Sequence, residues 1–152
     1  MMKGVKSLIV LVSFGALVML YSCLDEDQFI TLEEQLEQQN KLIDAYLEEN
    51  NIDADITPEG LRYVIYEEGT GVNPTITSNI VVAYEGRYLA NGKVFDSSTK
   101  APFLLSNLIT AWQISIPLLK EGGRMTIYAP AVYCYGGNDN MIFDITLKEV
   151  VQ

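Results

Sequence analysis

The chain has 152 residues, 20 of them acidic against 10 basic, for a formal net charge of −10. That balance argues against a nucleic-acid partner, because such binding draws on clustered Lys and Arg to neutralise phosphates. The chain holds no histidine and two cysteines, which removes histidine general-base chemistry, His-ligated metals and Cys-rich metal sites from consideration.

The first stretch, "MMKGVKSLIVLVSFGALVMLYSC", carries Lys3 and Lys6, then an uncharged apolar run, then small Ser22 before Cys23. Leu8 to Tyr21 is 14 residues, short of the roughly 20 that a spanning helix needs. The layout predicts an export signal over residues 1–22. "LYSC" resembles the lipobox of bacterial lipoproteins, which implies that Cys23 becomes the lipidated first residue and the membrane anchor. Cys134 is then the remaining thiol, and no intramolecular disulfide is expected. With Lys3 and Lys6 removed, eight basic residues face 20 acidic ones from Cys23 to Gln152, a length suited to one domain. Asp25, Glu26 and Asp27 follow Cys23 closely. This run resembles the signal that sends lipoproteins of some gram-negative bacteria to the outer face of the outer membrane. An outer-membrane lipoprotein is expected, facing either the surface or the periplasm.

Residues 23–56 read as an acidic tether and a helix. Thr31 precedes Glu33 and Glu34, acids suited to a first turn, and Leu32, Leu36, Ile43 and Leu47 fall near one face. An amphipathic helix of about 18 residues is predicted. Its apolar stripe breaks at Gln39 and Asn40, where a coiled coil would want apolar residues, so docking or spacing is favoured over a homodimer through residues 31–49. "DADITPEG" is rejected as a calcium loop, since Pro58 and Val64 stand where that loop needs Gly and Glu.

Residues 57–152 read as one further domain, and from Gly60 the period changes from helical to alternating. "LRYVIYEEG", "NIVVAYEGRYLANG", "GRMTIYAP" and "MIFDITLKEVV" are rich in Val, Ile, Tyr and Thr and bounded by Gly, Pro and Asn, so they read as strands. Asn91-Gly92 signals a hairpin. One helical interruption, "NLITAWQISIPLL", should end at Pro117. A mostly antiparallel sheet around one short helix is an α+β arrangement. Ser97 and Ser98 have no evident base, "GTG" at 69–71 lacks phosphate-loop spacing, and Cys134 is better read as a buried filler than as a nucleophile. Any chemistry here must do without strong bases and metals.

Four blocks in order, "IVVAYEGRYLANGKVFDSS", "PFLLSNLITAW", "PAVYCYG" and "MIFDITLKEV", resemble an FKBP-type peptidyl-prolyl cis-trans isomerase in its bacterial form with an N-terminal helical extension. The resemblance covers residues 60–150. It implies a bent antiparallel sheet wrapped around one short α-helix, with an apolar active site between them, no cofactor, and proline-containing polypeptides as substrates. Asp96 and Tyr135 would be the catalytic polar groups. Tyr84, Phe95, Phe103, Leu108, Ile109, Trp112 and Phe143 would bind substrate, with Trp112 as floor and Leu108 and Ile109 at the mouth. For Asp96 the competing reading is an acid that caps a turn before Ser97 and Ser98.

The chain departs from that family at Thr110 and Ala111, where bacterial members commonly have Pro and Gly. Only residues 137–140 separate Gly136 from Met141, where the family has a longer loop over the pocket. Slow isomerase activity on exported proteins is therefore expected. The alternatives are a non-catalytic lipoprotein that binds peptides or a partner through the same cleft, and a structural surface lipoprotein.

Overall fold

The computed structural model describes residues 30–151. The signal at 1–22, Cys23 and the acidic run at 25–27 lie outside the described residues. The chain opens with helix α1, Leu32–Glu49, whose start is fixed by a capping box: Glu34 N–H donates to Thr31 Oγ1 at 3.2 Å, and Thr31 N–H donates to Glu34 Oε2 at 2.8 Å. Six strands follow: β1 Asp55–Ile56, β2 Arg62–Glu67, β3 Asn79–Tyr88, β4 Val94–Leu104, β5 Arg124–Ala129 and β6 Met141–Val151. They form one antiparallel sheet in the order β1-β2-β5-β6-β3-β4. A short helix α2, Thr110–Ser115, lies between β4 and β5 and runs into a 3₁₀ turn at Ile116–Leu118 that contains Pro117. The expected α+β fold with a short helix and an N-terminal helix is the observed one.

Period-two alternation assigns the strands' side chains to two separate cores. Met125, Ile127 and Ala129 of β5, with Phe143, Ile145 and Leu147 of β6, face α2 and pack with Trp112, Ile116 and Leu119. Tyr128 and Ile142, the alternate residues, face the other way and meet Ile43 and Leu47 of α1. α1 thus docks on its own sheet along Gln39, Ile43 and Leu47, all buried and four residues apart. Arg62 seals the contact, its Nε and Nη2 reaching the two Asp44 carboxylate oxygens at 2.8 and 2.7 Å.

The Asn91-Gly92 hairpin is present, closed by Tyr88 N–H donating to Lys93 O at 3.1 Å, with Gly92 at φ +68°. The strand behind it, β4, has no clean apolar alternation in the sequence, because it is an edge strand that bulges twice. Its pairing with β3 slips between Val82 and Tyr84 and again between Gly86 and Arg87. Such bulges bend a sheet and re-aim side chains. β1 adds Asp55 and Ile56 to the sheet just before the boundary at residue 57.

Candidate active site

The second bulge of β4 has a direct consequence. Gly86 pairs with Asp96 and Arg87 pairs with Val94, so Phe95 has no partner across the ladder. The extra residue turns Phe95 and Asp96, which would otherwise point to opposite faces, towards the same aromatic cluster. Phe95 packs edge-on to Phe143 at 5.8 Å and to Tyr135 at 6.3 Å between ring centroids. Gly86 makes this possible: a Cβ there would stand 2.7 Å from Phe95 Cζ and 3.0 Å from Phe143 Cε1. Close approach is a recurrent reason for glycine inside a strand.

Trp112 enters the cluster from the first turn of α2, 4% exposed. Its ring lies 5.6 Å from Phe143, 5.1 Å from Tyr84 and 6.1 Å from Phe103, each contact near perpendicular. Edge-to-face packing at these separations is the favoured aromatic geometry and holds each ring in place. The rings border a cleft of about 250 Å³, open to solvent. Tyr84, Asp96, Phe103, Asn107, Leu108, Ile109, Trp112 and Tyr135 line it, and Trp112 is the most deeply buried of them. Seven of the nine sequence-derived site residues therefore come together around one opening. Phe95 and Phe143 do not line it. Phe143 is 1% exposed and stands behind Trp112 as a buttress, and Phe95 plays the same part behind Tyr135.

Asp96 lies inside β4, so it caps no turn; Ser98 Oγ is the group that accepts a local bond, from Lys100 N–H at 3.2 Å. The Tyr84 hydroxyl donates to Asp96 Oδ2 at 2.7 Å. Burial first, and then this bond and the negative charge, push the Tyr84 hydroxyl up to about 12, so it stays protonated and holds the carboxylate at the wall. Two donors near the cleft are unspent. Trp112 Nε1–H is buried without an acceptor among the described residues, and none of them accepts from Ile109 N–H either. Tyr135, 65% exposed, is held by its ring contact with Phe95.

Three contributors escaped the sequence reading. Asn107 lines the cleft. Gln113 Nε2 donates to Leu108 O at 2.6 Å and to Ser106 O at 3.2 Å, propping that segment on α2. Gly86 could have been found, since an isolated glycine inside a strand pattern signals a bulge or a close approach. Burial pushes the Cys134 thiol up to about 12, which leaves it inert as a nucleophile at neutral pH. Among the described residues no group of three or more His, Cys, Asp or Glu is placed to hold a metal ion, and no helix is long and apolar enough to cross a membrane.

Residues 71–148, about half of the chain, match the family described as FKBP-type peptidyl-prolyl cis-trans isomerase. The probable FKBP-type peptidyl-prolyl cis-trans isomerase FkpA of Neisseria meningitidis serogroup B is 37% identical over 122 residues, 70% of this chain and 44% of that protein. The outer membrane protein MIP of Legionella longbeachae is 34% identical over 122 residues, 70% of this chain and 52% of that protein. The chain thus spans about half the length of these relatives. A solved peptidyl-prolyl cis-trans isomerase of Pseudomonas syringae pv. tomato superposes with a TM-score of 0.67 at 22% identity, over 80% of this chain and 97% of that one. This last likeness speaks to the fold alone.

Proposed function

Because the chain belongs to the FKBP-type peptidyl-prolyl cis-trans isomerase family, we propose that it isomerises Xaa-Pro bonds in exported polypeptides, without a covalent step, in the cleft floored by Trp112. The observation that carries this is a rigid aromatic enclosure whose one polar wall is the Tyr84–Asp96 pair. Rotation about an amide meets a barrier of about 18–20 kcal/mol, set by the partial double bond, while the two Xaa-Pro isomers differ by roughly 1 kcal/mol or less. No proton or metal has to act. Water favours the planar amide by solvating its polarised carbonyl, so an apolar pocket favours the twisted, less polar state. In this reading Trp112, Tyr84 and Phe103 hold the proline ring, Asp96 faces the rotating carbonyl, and Ile109 N–H and Tyr135 hold the flanking chain. Phe95 and Phe143 keep the rings in place.

A second reading, a peptide-binding module without turnover, is favoured by the short polar segment Gly137–Asn140, which gives the pocket little cover. The test is isomerisation of a short Xaa-Pro peptide by the purified chain from Leu24 onward, beside Asp96→Ala and Trp112→Ala. Acceleration over buffer, cut at least tenfold by Trp112→Ala, is expected. A rate equal to buffer with peptide still bound would leave the binding module standing.

The same proposal extends to location. Lipidation at Cys23, after removal of residues 1–22, would tether residues 57–152 through the segment 23–56 to the outer membrane of a gram-negative bacterium; a lipid chain and a second signal together make a stable anchor. The likeness to a relative named as an outer membrane protein supports an envelope location. Cys23→Ser is expected to yield a soluble or unprocessed exported form. Tight membrane association after complete signal removal would overturn the anchor. A homodimer through residues 31–49 would have to use Leu32 and Leu42, which are exposed, since Ile43 and Leu47 are spent on the sheet. Sedimentation of the chain with Leu32→Lys and Leu42→Lys decides it.

A further inference from the structure

Gln39 interrupts the apolar stripe of α1 and is nevertheless buried, 8% exposed. A buried amide costs free energy unless it is hydrogen-bonded, and an apolar residue would dock the helix more simply. The bonds it makes converge on one short segment of chain. Gln39 Oε1 accepts from Val132 N–H at 3.1 Å, and Gln39 O accepts from Asn140 Nδ2 at 2.9 Å. Asn140, 5% exposed, closes the figure: its Oδ1 accepts from Ala131 N–H at 3.1 Å and its backbone O accepts from Leu89 N–H at 2.9 Å. A single helical residue therefore grips both the start and the end of the segment 131–140. Tyr135 sits between the two grips. The residues before it are also held, Tyr133 Oη donating to Glu59 O at 2.9 Å and Cys134 packing on the core. Tyr135 itself has its edge contact with Phe95, and the following Gly136 and Gly137, at φ +77° and +85°, bring little stiffness of their own.

We propose that Gln39 is a positioning residue for the cleft: by clamping Val132 and Asn140 it fixes where Tyr135 stands, and so couples the N-terminal helix to substrate handling. Gln39 lies outside the segment 71–148 that matches the family, so the clamp is an addition of this chain's helical extension. It rests on the reading of the cleft as the substrate site.

The experiment is a double-mutant cycle on the chain from Leu24 onward. Gln39→Met keeps length and packing and removes the acceptor. Gln39→Glu keeps the acceptor oxygen for Val132 N–H. Asn140→Asp removes the donor to Gln39 O and breaks the clamp independently. With a short Xaa-Pro peptide, Gln39→Met and Asn140→Asp are each expected to lower kcat/KM about tenfold, the scale of one lost hydrogen-bonded constraint, and Gln39→Glu to restore most of it. In a Tyr135→Ala background, Gln39→Met should cost almost nothing further, because its effect passes through Tyr135. A Gln39→Met protein as active as the parent, or losses that multiply with those of Tyr135→Ala, would overturn the clamp while leaving the isomerase reading intact. If the parent binds the peptide without turnover, the isomerase reading falls, and the same cycle is read on affinity through the fluorescence of Trp112, the chain's only tryptophan. A parent that neither turns over nor binds peptide overturns both.

Discussion

The two faces of the sheet are built from the same strands and differ in how completely they are finished. On the outer face Tyr128 and Ile142 lie beneath Ile43, Leu47 and Tyr46, the two tyrosine rings 6.1 Å apart, and α1 covers that part of the layer. On the inner face Trp112, Phe143, Phe95 and Tyr84 are packed just as closely, yet the layer stops short of closure and leaves an opening, an unspent indole N–H and a carboxylate. Aromatic density alone therefore does not mark a site. What marks it is an opening whose lining combines aromatic rings with a carboxylate held in place by Tyr84.

Phe143 and Ile43 test that contrast most severely. Both are fully buried, on opposite faces. Phe143→Ala is expected to cost about 3–5 kcal/mol and Ile43→Ala about 2–5 kcal/mol, measured by urea unfolding. The split lies in activity: with the folded fraction accounted for, Ile43→Ala should keep most of its turnover. Phe143→Ala should lose it, because Trp112 and Phe95 lose the ring between them. Equal losses in both would mean that the faces are not functionally separate.

How much of this was readable in advance follows the range of each interaction. The span of α1 was legible because its signals are local, Thr31 with Glu34 and a stripe four residues apart. The role of Gln39 was not, since its partners Val132 and Asn140 lie 93 and 101 residues away and the amide looks like a flaw in the stripe. The strands with clean alternation were legible; β4 was not, because an edge strand with two bulges has no fixed period. The cleft's membership came from the family resemblance, and seven residues do gather there. The same resemblance could not tell a lining ring from a supporting one, because where each ring stands relative to the opening is set by the folded packing and not by residue type.

Gly86→Ala probes the inner face from its backbone. The added methyl meets two rings at 2.7 and 3.0 Å, so an overpacking cost of about 1–3 kcal/mol is expected. The near-ultraviolet circular dichroism of the aromatic cluster should change with it. A variant with parental stability and spectrum would show that Phe95 can move freely, against a preorganised site.

Alkaline pH sharpens the comparison because each face holds one strongly shifted tyrosine. Tyr84 inside and Tyr128 outside are both pushed up to about 12, burial being the first cause in each. In the unfolded chain tyrosines lose their protons near pH 10. The unfolded state is therefore favoured above that pH, and the stability these two groups contribute is whole below about pH 10 and lost as pH rises towards 12. Unfolding followed against pH should steepen in that window, and Tyr84→Phe and Tyr128→Phe should each flatten it. Turnover should be level between about pH 6 and pH 9, because the chain has no histidine. A bell-shaped rate profile in that range would require a titrating catalyst that the cleft does not contain.

The smallest effect is expected where the inner face is least finished, at the turn between Tyr135 and Met141. Water that reaches a bound carbonyl stabilises its planar form, so an uncovered cleft retains affinity for proline while losing rate. A longer apolar loop inserted between Gly137 and Asp139 should raise turnover more than it tightens peptide binding. Asn140 must be spared, because it is buried and bonded to Gln39 and Ala131. The added chain costs little, since doubling a loop adds only about 0.6 kcal/mol of closure entropy. If the enlarged loop leaves the protein folded and binding peptide but no faster, cover does not limit this cleft. The inner face would then be complete as a binding surface.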